Sequence, residues 1–310
     1  MKRAIIDGAT SFIGIALLQE LRAKGYELYL IIRPDSVRRP IIELYKDEYV
    51  HIVECHFSEY NLLAEKVSCY FANKEITIDE FYHIGWSTDF CDTKKNLKGH
   101  MMNVEYACNA LYCAAKLGCD SFVVVGSQAE CGLVTEPICS KTKDNPCTPY
   151  GEAKCETYRK CCDIGRDIGV HIYWSRLLSA YGPYDKQSTL VMQCINACKR
   201  KESIDITKGD KIWDYVYVAD VARALYSICD KGIEKKKYTI ASGKPKILKE
   251  YIEDIAKVYD NPNLLNGIGK RPYSKGEVMY LVGDISELYE DTGMVIDSVF
   301  IDCIRNSINW

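Results

Sequence analysis

The 310-residue sequence contains no uninterrupted apolar run of membrane-spanning length, and no apolar stretch of signal-peptide length precedes its first glycine turn. A bilayer helix needs about 20 such residues, so the chain is expected to be neither membrane-spanning nor exported, and a cytoplasmic location is expected instead. An excess of either charge is also missing, with 40 Lys and Arg against 43 Asp and Glu. That balance removes the global attraction expected of a nucleic-acid or acidic-membrane partner and leaves room only for a local basic patch. No repeat or low-complexity tract is present, and no Cys-x-x-Cys pair, which excludes a compact zinc knuckle. No bound metal is expected.

What is present is a large apolar fraction, 47%, enough for one large α/β domain or two lobes around a continuous core. The sixteen cysteines belong to that fraction. Cys108, Cys113, Cys155, Cys162, Cys194 and Cys198 fall in helical patterns, where a reduced thiol is a small apolar filler.

The first half alternates strand and helix. Ala4-Ile5-Ile6 runs into Gly8-Ala9-Thr10-Ser11-Phe12-Ile13-Gly14, and residues 15–24 follow with helical spacing. Strand, glycine turn and helix in this order form a dinucleotide site, because free N–H groups at the helix start face a pyrophosphate. Gly8 permits the tight turn and Gly14 the close approach of helix to sheet, while Ser11 stands where a middle glycine is usual. Arg33 ends the second strand, residues 27–32. A carboxylate there suits the ribose of NAD and an arginine the extra phosphate of NADP, so Arg33, with Arg38 and Arg39, tips the expectation to NADP over NAD. Arginines past a strand are also commonly just solvated.

Residues 49–54 read as a third strand, 59–69 as a helix and 78–84 as a fourth strand ending at Gly85 and Trp86. His83 has no ligand partner at useful spacing and reads as a packed histidine. Trp86, Ser87 and Thr88 lie beyond the strand's carboxyl end, where parallel sheets bind ligands. Residues 96–117 are helical, with Asn103 among apolar neighbours, and Ser121-Phe122-Val123-Val124-Val125-Gly126 is the strongest buried strand. It delivers Ser127 to the same edge. Pro149 then opens a helix carrying Tyr150 and Lys154, four apart and so on one face, where an ammonium can favour the ionised phenol. These elements predict an α/β fold, a Rossmann-type doubly wound parallel sheet with a small C-terminal substrate-binding lobe.

In the second half, residues 169–175 read as a sixth strand, 190–200 as a helix, 211–218 as one strand-like run and 219–229 as a helix. Lys211 can donate charge to a ligand, and Trp213 fits either stacking or core packing. Asp214 and Asp220 read as structural groups, and Lys235-Lys236-Lys237 as a solvated surface. Residues 261–275 are the most loop-like stretch and a candidate for shaping specificity.

Together, Gly8-Ala9-Thr10-Ser11-Phe12-Ile13-Gly14, Gly126-Ser127-Gln128-Ala129-Glu130-Cys131-Gly132, Tyr150-Gly151-Glu152-Ala153-Lys154, Arg176 with Ala180-Tyr181-Gly182-Pro183, and residues 213–222 resemble the extended short-chain dehydrogenases/reductases of the nucleotide-sugar epimerase/dehydratase family. The resemblance implies Tyr150 as proton donor or acceptor, Lys154 as its assistant at the nicotinamide ribose, and Ser127 as the group that polarises the reacting oxygen. It implies cofactor contacts from Gly8, Thr10, Ser11, Phe12, Ile13, Gly14, Arg33, Gly85, Trp86 and Asn103, beside Tyr150 and Lys154. Substrate contacts are implied for Ser87, Ser127, Gln128, Tyr150, Thr189, Lys211 and Trp213. Family dehydratases carry Asp-Glu after the catalytic Ser or Thr, whereas Gln128-Ala129 follows Ser127 here. The segment is more similar to 4-keto-6-deoxysugar reductases of the abequose or paratose kind. The expectation is therefore a reductase of a nucleotide-linked 4-keto-6-deoxysugar, with a 4-epimerase retaining NAD as the first enzymatic alternative, a 4,6-dehydratase as a lesser one, and a dinucleotide-binding regulatory protein as the non-enzymatic one. Residues 1–175 are expected to be mainly dinucleotide-binding and 176–310 mainly a substrate lobe, with segments such as 212–235 returning to the core. A homodimer through two long helices is implied by the same resemblance.

Overall fold

The computed structural model describes residues 1–71, 77–88 and 96–307. In chain order the first half runs β1 (Arg3–Asp7), α1 (Phe12–Ala23), β2 (Glu27–Ile32), α2 (Arg39–Glu43), β3 (Val50–Glu54), α3 (Leu63–Ser68), β4 (Glu80–His83), α4 (Leu97–Lys116), β5 (Ser121–Ser127), α5 (Pro149–Ile168) and β6 (His171–Leu177). The second half adds β7 (Ser179–Tyr181), α6 (Leu190–Lys199), β8 (Ile212–Trp213), β9 (Tyr215–Tyr217), α7 (Val218–Lys231), β10 (Lys237–Ile240), β11 (Lys246–Ile247), α8 (Leu248–Val258), β12 (Tyr280–Leu281), α9 (Ser286–Thr292) and α10 (Phe300–Asn306).

Seven parallel strands in the order β10-β6-β5-β4-β1-β2-β3 make the central sheet. Their near-continuous apolar runs are those of strands covered on both faces. One face packs Leu17, Leu18 and Leu21 of α1 with Val221 and Leu225 of α7, and the other packs Ala107, Ala110 and Leu111 of α4 with Cys161 of α5. Each fully buried Leu contributes roughly 1.5–3 kcal/mol of apolar transfer. The order reverses between β1 and β4, and the carboxyl ends of both strands open there on one edge, the place where such sheets bind ligands. Asp7 closes this seam. Its buried carboxylate accepts the Ile84 and Gly85 N–H groups, each at 2.7 Å, and pairs with His83 Nδ1. The packed reading of His83 therefore has its partner.

Chain beyond residue 176 serves both regions. β10 completes the large sheet beside β6, while β11-β8-β12 and β7-β9 form two small sheets. A third apolar cluster joins Ile195 of α6, Ile252 of α8 and Ile304 of α10.

Three expectations need correction. The run 211–218 is two strands in different sheets, because Asp214 between them is fully buried and its carboxylate accepts from Ser242 N and Oγ, Gly243 N and Gly283 N. The helix expected at 59–69 starts as a 3-10 turn, Phe57–Leu62, where the Glu59 side chain reaches back to His56 N; only then does α3 begin. Lys235-Lys236-Lys237 is not a solvated run. Lys237 opens β10, is buried, and donates to both Asp144 oxygens, while Lys236 pairs with Asp291 and Glu287.

Among the described residues the fifteen cysteines are free thiols, no helix is long and apolar enough to cross a membrane, and no cluster of His, Cys, Asp or Glu is able to hold a metal ion.

Candidate active site

The first glycine turn is built by close backbone approach. Gly8 has φ of +60°, and a Cβ on it would stand 2.8 Å from Gly85 N. A Cβ on Gly14 would stand 2.5 Å from the Gly8 carbonyl oxygen. Ser11 does not replace a middle glycine sterically. It caps α1, its hydroxyl accepting from Gly14 N at 3.0 Å. The first-turn N–H groups of Phe12 and Ile13 have no intrahelical acceptor, so the helix start offers donors and a positive dipole end to an anion. Above them opens a cleft of about 310 Å³, lined by Gly8, Thr10, Ser11, Phe12, Arg33, Gly85, Trp86 and Ser87 among others. Arg38 and Lys186 line it too, so three cations surround the space. A pyrophosphate and adenosine fit this donor set. Arg39 does not line the cleft and pairs with Glu43 and Glu54. Ser87, expected at the substrate, faces this first cleft.

Trp86 links the cleft to the tyrosine. Its ring meets Tyr150 edge-on with centroids 5.4 Å apart, and the Lys154 ammonium lies 3.9 Å from the Trp86 centroid. Thr148 caps α5 by accepting from Gly151 N at 3.1 Å, with Pro149 in the first turn. The helix thereby presents Tyr150 toward Ser127 at the end of β5, whose hydroxyl favours the ionised phenol. Lys154, 3% exposed, donates to the Val125 carbonyl at 2.8 Å. The expected lowering of the Tyr150 phenol is not found. Burial pushes it up to about 12, the nearby Ser127 hydroxyl working against that and the Glu130 charge adding to it. Lys154 is 5.8 Å from the Tyr150 ring and itself pushed down to about 8, burial outweighing the pull of Glu130, Asp7 and Cys161. Desolvation thus outweighs the mutual attraction that the four-residue spacing suggested.

Two buried groups support this trio. Asn103 Oδ1 accepts from Ser87 N at 2.6 Å and Nδ2 donates to Ser87 O at 3.1 Å, fastening α4 to the chain beyond β4. Its contact is with this backbone, and it orders the cleft wall from behind. Glu130, fully buried, accepts from Ser127 N at 2.7 Å, Trp174 Nε1 at 3.1 Å and Arg176 Nε at 3.1 Å. Nothing in the sequence pattern distinguished Glu130 or Asp7 from surface acids.

A second cavity of about 230 Å³ lies among Ser188, Leu190, Gln193, Thr207, Lys211, Trp213, Tyr215 and Arg271, with other neighbours. Lys211 and Trp213 are there as expected, but Lys211 Nζ is already paired with Glu277, and Trp213 Nε1 donates to Ser179 Oγ at 2.8 Å. The exposed cation is Arg271, from the loop-like stretch 261–275. Thr189 does not line this cavity: its hydroxyl donates to Asp185 at 2.9 Å and closes a turn. Gln128 is partly buried beside Ser127 and lines neither space.

The seven-stranded parallel sheet, its glycine-built helix start and the Ser127–Tyr150–Lys154 group together define a Rossmann-type short-chain dehydrogenase/reductase. A family model described as the NAD dependent epimerase/dehydratase family matches residues 4–241, and the chain belongs to that family. It is 25% identical over 258 residues to a dTDP-6-deoxy-L-talose 4-dehydrogenase (NAD(+)) of Aggregatibacter actinomycetemcomitans, covering 81% of this chain and 88% of that one. To a CDP-abequose synthase of Salmonella muenchen it is 24% identical over 272 residues, covering 86% and 83%. It spans about half the length of the Escherichia coli dTDP-glucose 4,6-dehydratases that it matches. Among solved structures, a UDP-glucose 4-epimerase of Thermotoga maritima superposes with a TM-score of 0.84 at 18% identity, covering 99% and 97% of the two chains, a likeness of fold.

Proposed function

We propose that the protein reduces the keto group of a nucleotide-linked 4-keto-6-deoxysugar at the expense of a nicotinamide dinucleotide, NADP in preference to NAD. The observation that carries this reading is the grouping of the Tyr150 phenol with Ser127 at the end of β5, the Trp86 ring of the first cleft and the buried Lys154 ammonium, the phenol being raised by burial to about 12. Such a phenol keeps its proton through neutral pH, the state required of a proton donor. When bound, the nicotinamide supplies hydride to the carbonyl carbon. Tyr150 then gives its proton to the carbonyl oxygen, and Ser127 donates a hydrogen bond that stabilises charge developing there. Lys154 keeps a positive charge beside the phenol and favours its partial ionisation as the proton leaves. Elimination of water needs an acid and a base at the sugar. The one carboxylate in residues 127–132, Glu130, faces Arg176 and Trp174 in the interior. The relative named as a 4-dehydrogenase of a 6-deoxysugar works at the same sugar position.

Arg33, Arg38 and Lys186 around the first cleft support the NADP preference. The second cavity, with Arg271 and the Trp213 and Tyr215 rings, suits the nucleoside diphosphate. Residues 1–175 then form mainly the dinucleotide half and 176–310 mainly the substrate lobe, with 212–235 returning to the core. Homodimerisation through α4 and α5 belongs to the same reading, and a single species at monomer mass in sedimentation removes it.

The test supplies CDP- and dTDP-linked 4-keto-6-deoxyglucose with NADPH or NADH. Stoichiometric cofactor oxidation, with deuterium passing from C4-deuterated cofactor to the sugar, is expected. Interconversion of two epimers on tightly held NAD, without net consumption, overturns the reductase reading. Binding of dinucleotide with no hydride transfer across a panel of nucleotide sugars favours a regulatory protein.

A further inference from the structure

Glu130 is fully buried near the site, with 0% exposure, as Asp7 is. Every contact it makes is with a donor: Ser127 N, Trp174 Nε1 across both its oxygens, and Arg176 Nε, with the Lys237 ammonium at 4.0 Å. Burial raises the Glu130 carboxyl while the Ser127 N–H, Arg176 and Lys237 work against that, and since a neutral carboxyl would turn an O–H toward one of these donors, the geometry fits the carboxylate. Gly126 makes room for it, since a Cβ there would stand 2.5 Å from Glu130 Oε1.

Lys154 poses the complementary problem. It is buried, its one hydrogen bond is to the neutral Val125 carbonyl, and among the described residues no carboxylate stands within ion-pair distance of it. An isolated buried ammonium tends to shed its proton. The Trp86 face helps retain it, and the charged or titratable groups around it are Tyr150 and Cys161 on its own helix, Asp7 at the end of β1, and Glu130. Glu130 exerts the largest pull toward the charged form, with Asp7 next.

We infer that Glu130 is a positioning residue for the Ser127–Tyr150–Lys154 group: it fixes the Ser127 backbone and supplies the buried negative charge that keeps Lys154 an ammonium. The inference rests on the proton-transfer role given to these residues above. It adds that a residue touching neither substrate nor cofactor sets their charge state.

The test is a titration of Lys154 by NMR in the full chain carrying ¹³Cε-lysine, the signal identified by its loss in Lys154→Met. It requires neither substrate nor cofactor, so its failure is distinct from failure of the reductase reading, which the ketosugar assay decides. In the unaltered protein the midpoint is expected near 8. In Glu130→Gln, which keeps the side-chain shape, it is expected at least about half a unit lower. Glu130→Asp keeps the charge and restores the midpoint, yet is too short for Ser127 N and lowers kcat with KM unchanged. An unshifted midpoint in folded Glu130→Gln overturns the inference. Should Glu130→Gln not fold, Trp174→Phe removes one donor from the carboxylate and leaves its charge. It is expected to lower kcat about threefold or more at unchanged KM and midpoint, and an unaltered kcat overturns the positioning role.

Discussion

The two cavities are made by opposite means. Backbone shapes the first: Gly8 and Gly14 admit contacts that no side chain tolerates, and the start of α1 supplies N–H donors. The second is shaped by side chains, with Gln193 from α6, Trp213 from β8, Tyr215 from β9, Leu248 from α8 and Arg271 from a loop. A cradle of backbone leaves little freedom to vary the ligand. A wall of side chains from five places can change one contact at a time, which is how related enzymes come to differ in sugar and nucleotide while sharing a dinucleotide site.

The sharpest test of this contrast lies at Tyr150, against the Trp86 wall of the first cleft. Tyr150→Phe removes the phenol to which the proposed function gives the proton transfer and is expected to lower kcat about a thousandfold, with dinucleotide affinity retained in a fluorescence titration. Next in size, Gly14→Ala forces a Cβ against the Gly8 carbonyl and is expected to cost about 3 kcal/mol in urea unfolding, along with dinucleotide binding. Arg271→Ala tests the other cavity. Its side chain is exposed, so unfolding should move by less than about 0.5 kcal/mol while KM for the nucleotide sugar rises about tenfold. If Arg271→Ala unfolds the protein instead, the contrast fails. Replacing Arg33 and Arg38 together by Ser should lower kcat/KM for NADPH about tenfold relative to NADH.

The smallest expected effect is on stability. Lys154 sits at about 8 in the folded chain against an ordinary 10.5, so below about pH 8 the fold bears the full cost of a buried ammonium. Between about 8 and 10.5 the folded side chain is neutral while the unfolded one still binds a proton, and this group's contribution to stability rises with pH. Lys154→Met is accordingly expected to be inactive but more stable at pH 7, by on the order of 1 kcal/mol, with the gap narrowing as pH rises through that window. Unfolding curves at pH 7 and pH 9.5 measure it.

How legible each region is in the sequence follows from the same contrast. The glycine turn, Arg33, Trp86 and the Tyr150–Lys154 spacing stand in local patterns, and the structure brings them to one sheet edge. Gly8 and Gly14 were readable because backbone geometry restricts residue type. Arg271, Lys186 and Thr207 reach their cavities through tertiary contacts that no local pattern encodes. Lys211 carried the right charge, yet Glu277, 66 residues further on, had already neutralised it. Desolvation was the other hidden quantity. Periodicity placed Lys154 one turn from Tyr150, but burial, which set both proton affinities, depends on the packing of Trp86 and Val125 from other strands' ends.

Asp214 carries a consequence for how the chain comes together. Its carboxylate accepts from groups 28, 29 and 69 residues downstream, the Ser242 N–H and hydroxyl, Gly243 N and Gly283 N. A partly synthesised chain ending before Gly283 already contains the glycine turn and the tyrosine helix, yet leaves this buried acid short of an acceptor's due complement of donors. The closure of those long loops is expected to come late in folding, and the second cavity, whose Trp213 and Tyr215 flank Asp214, is expected to take its shape after the first.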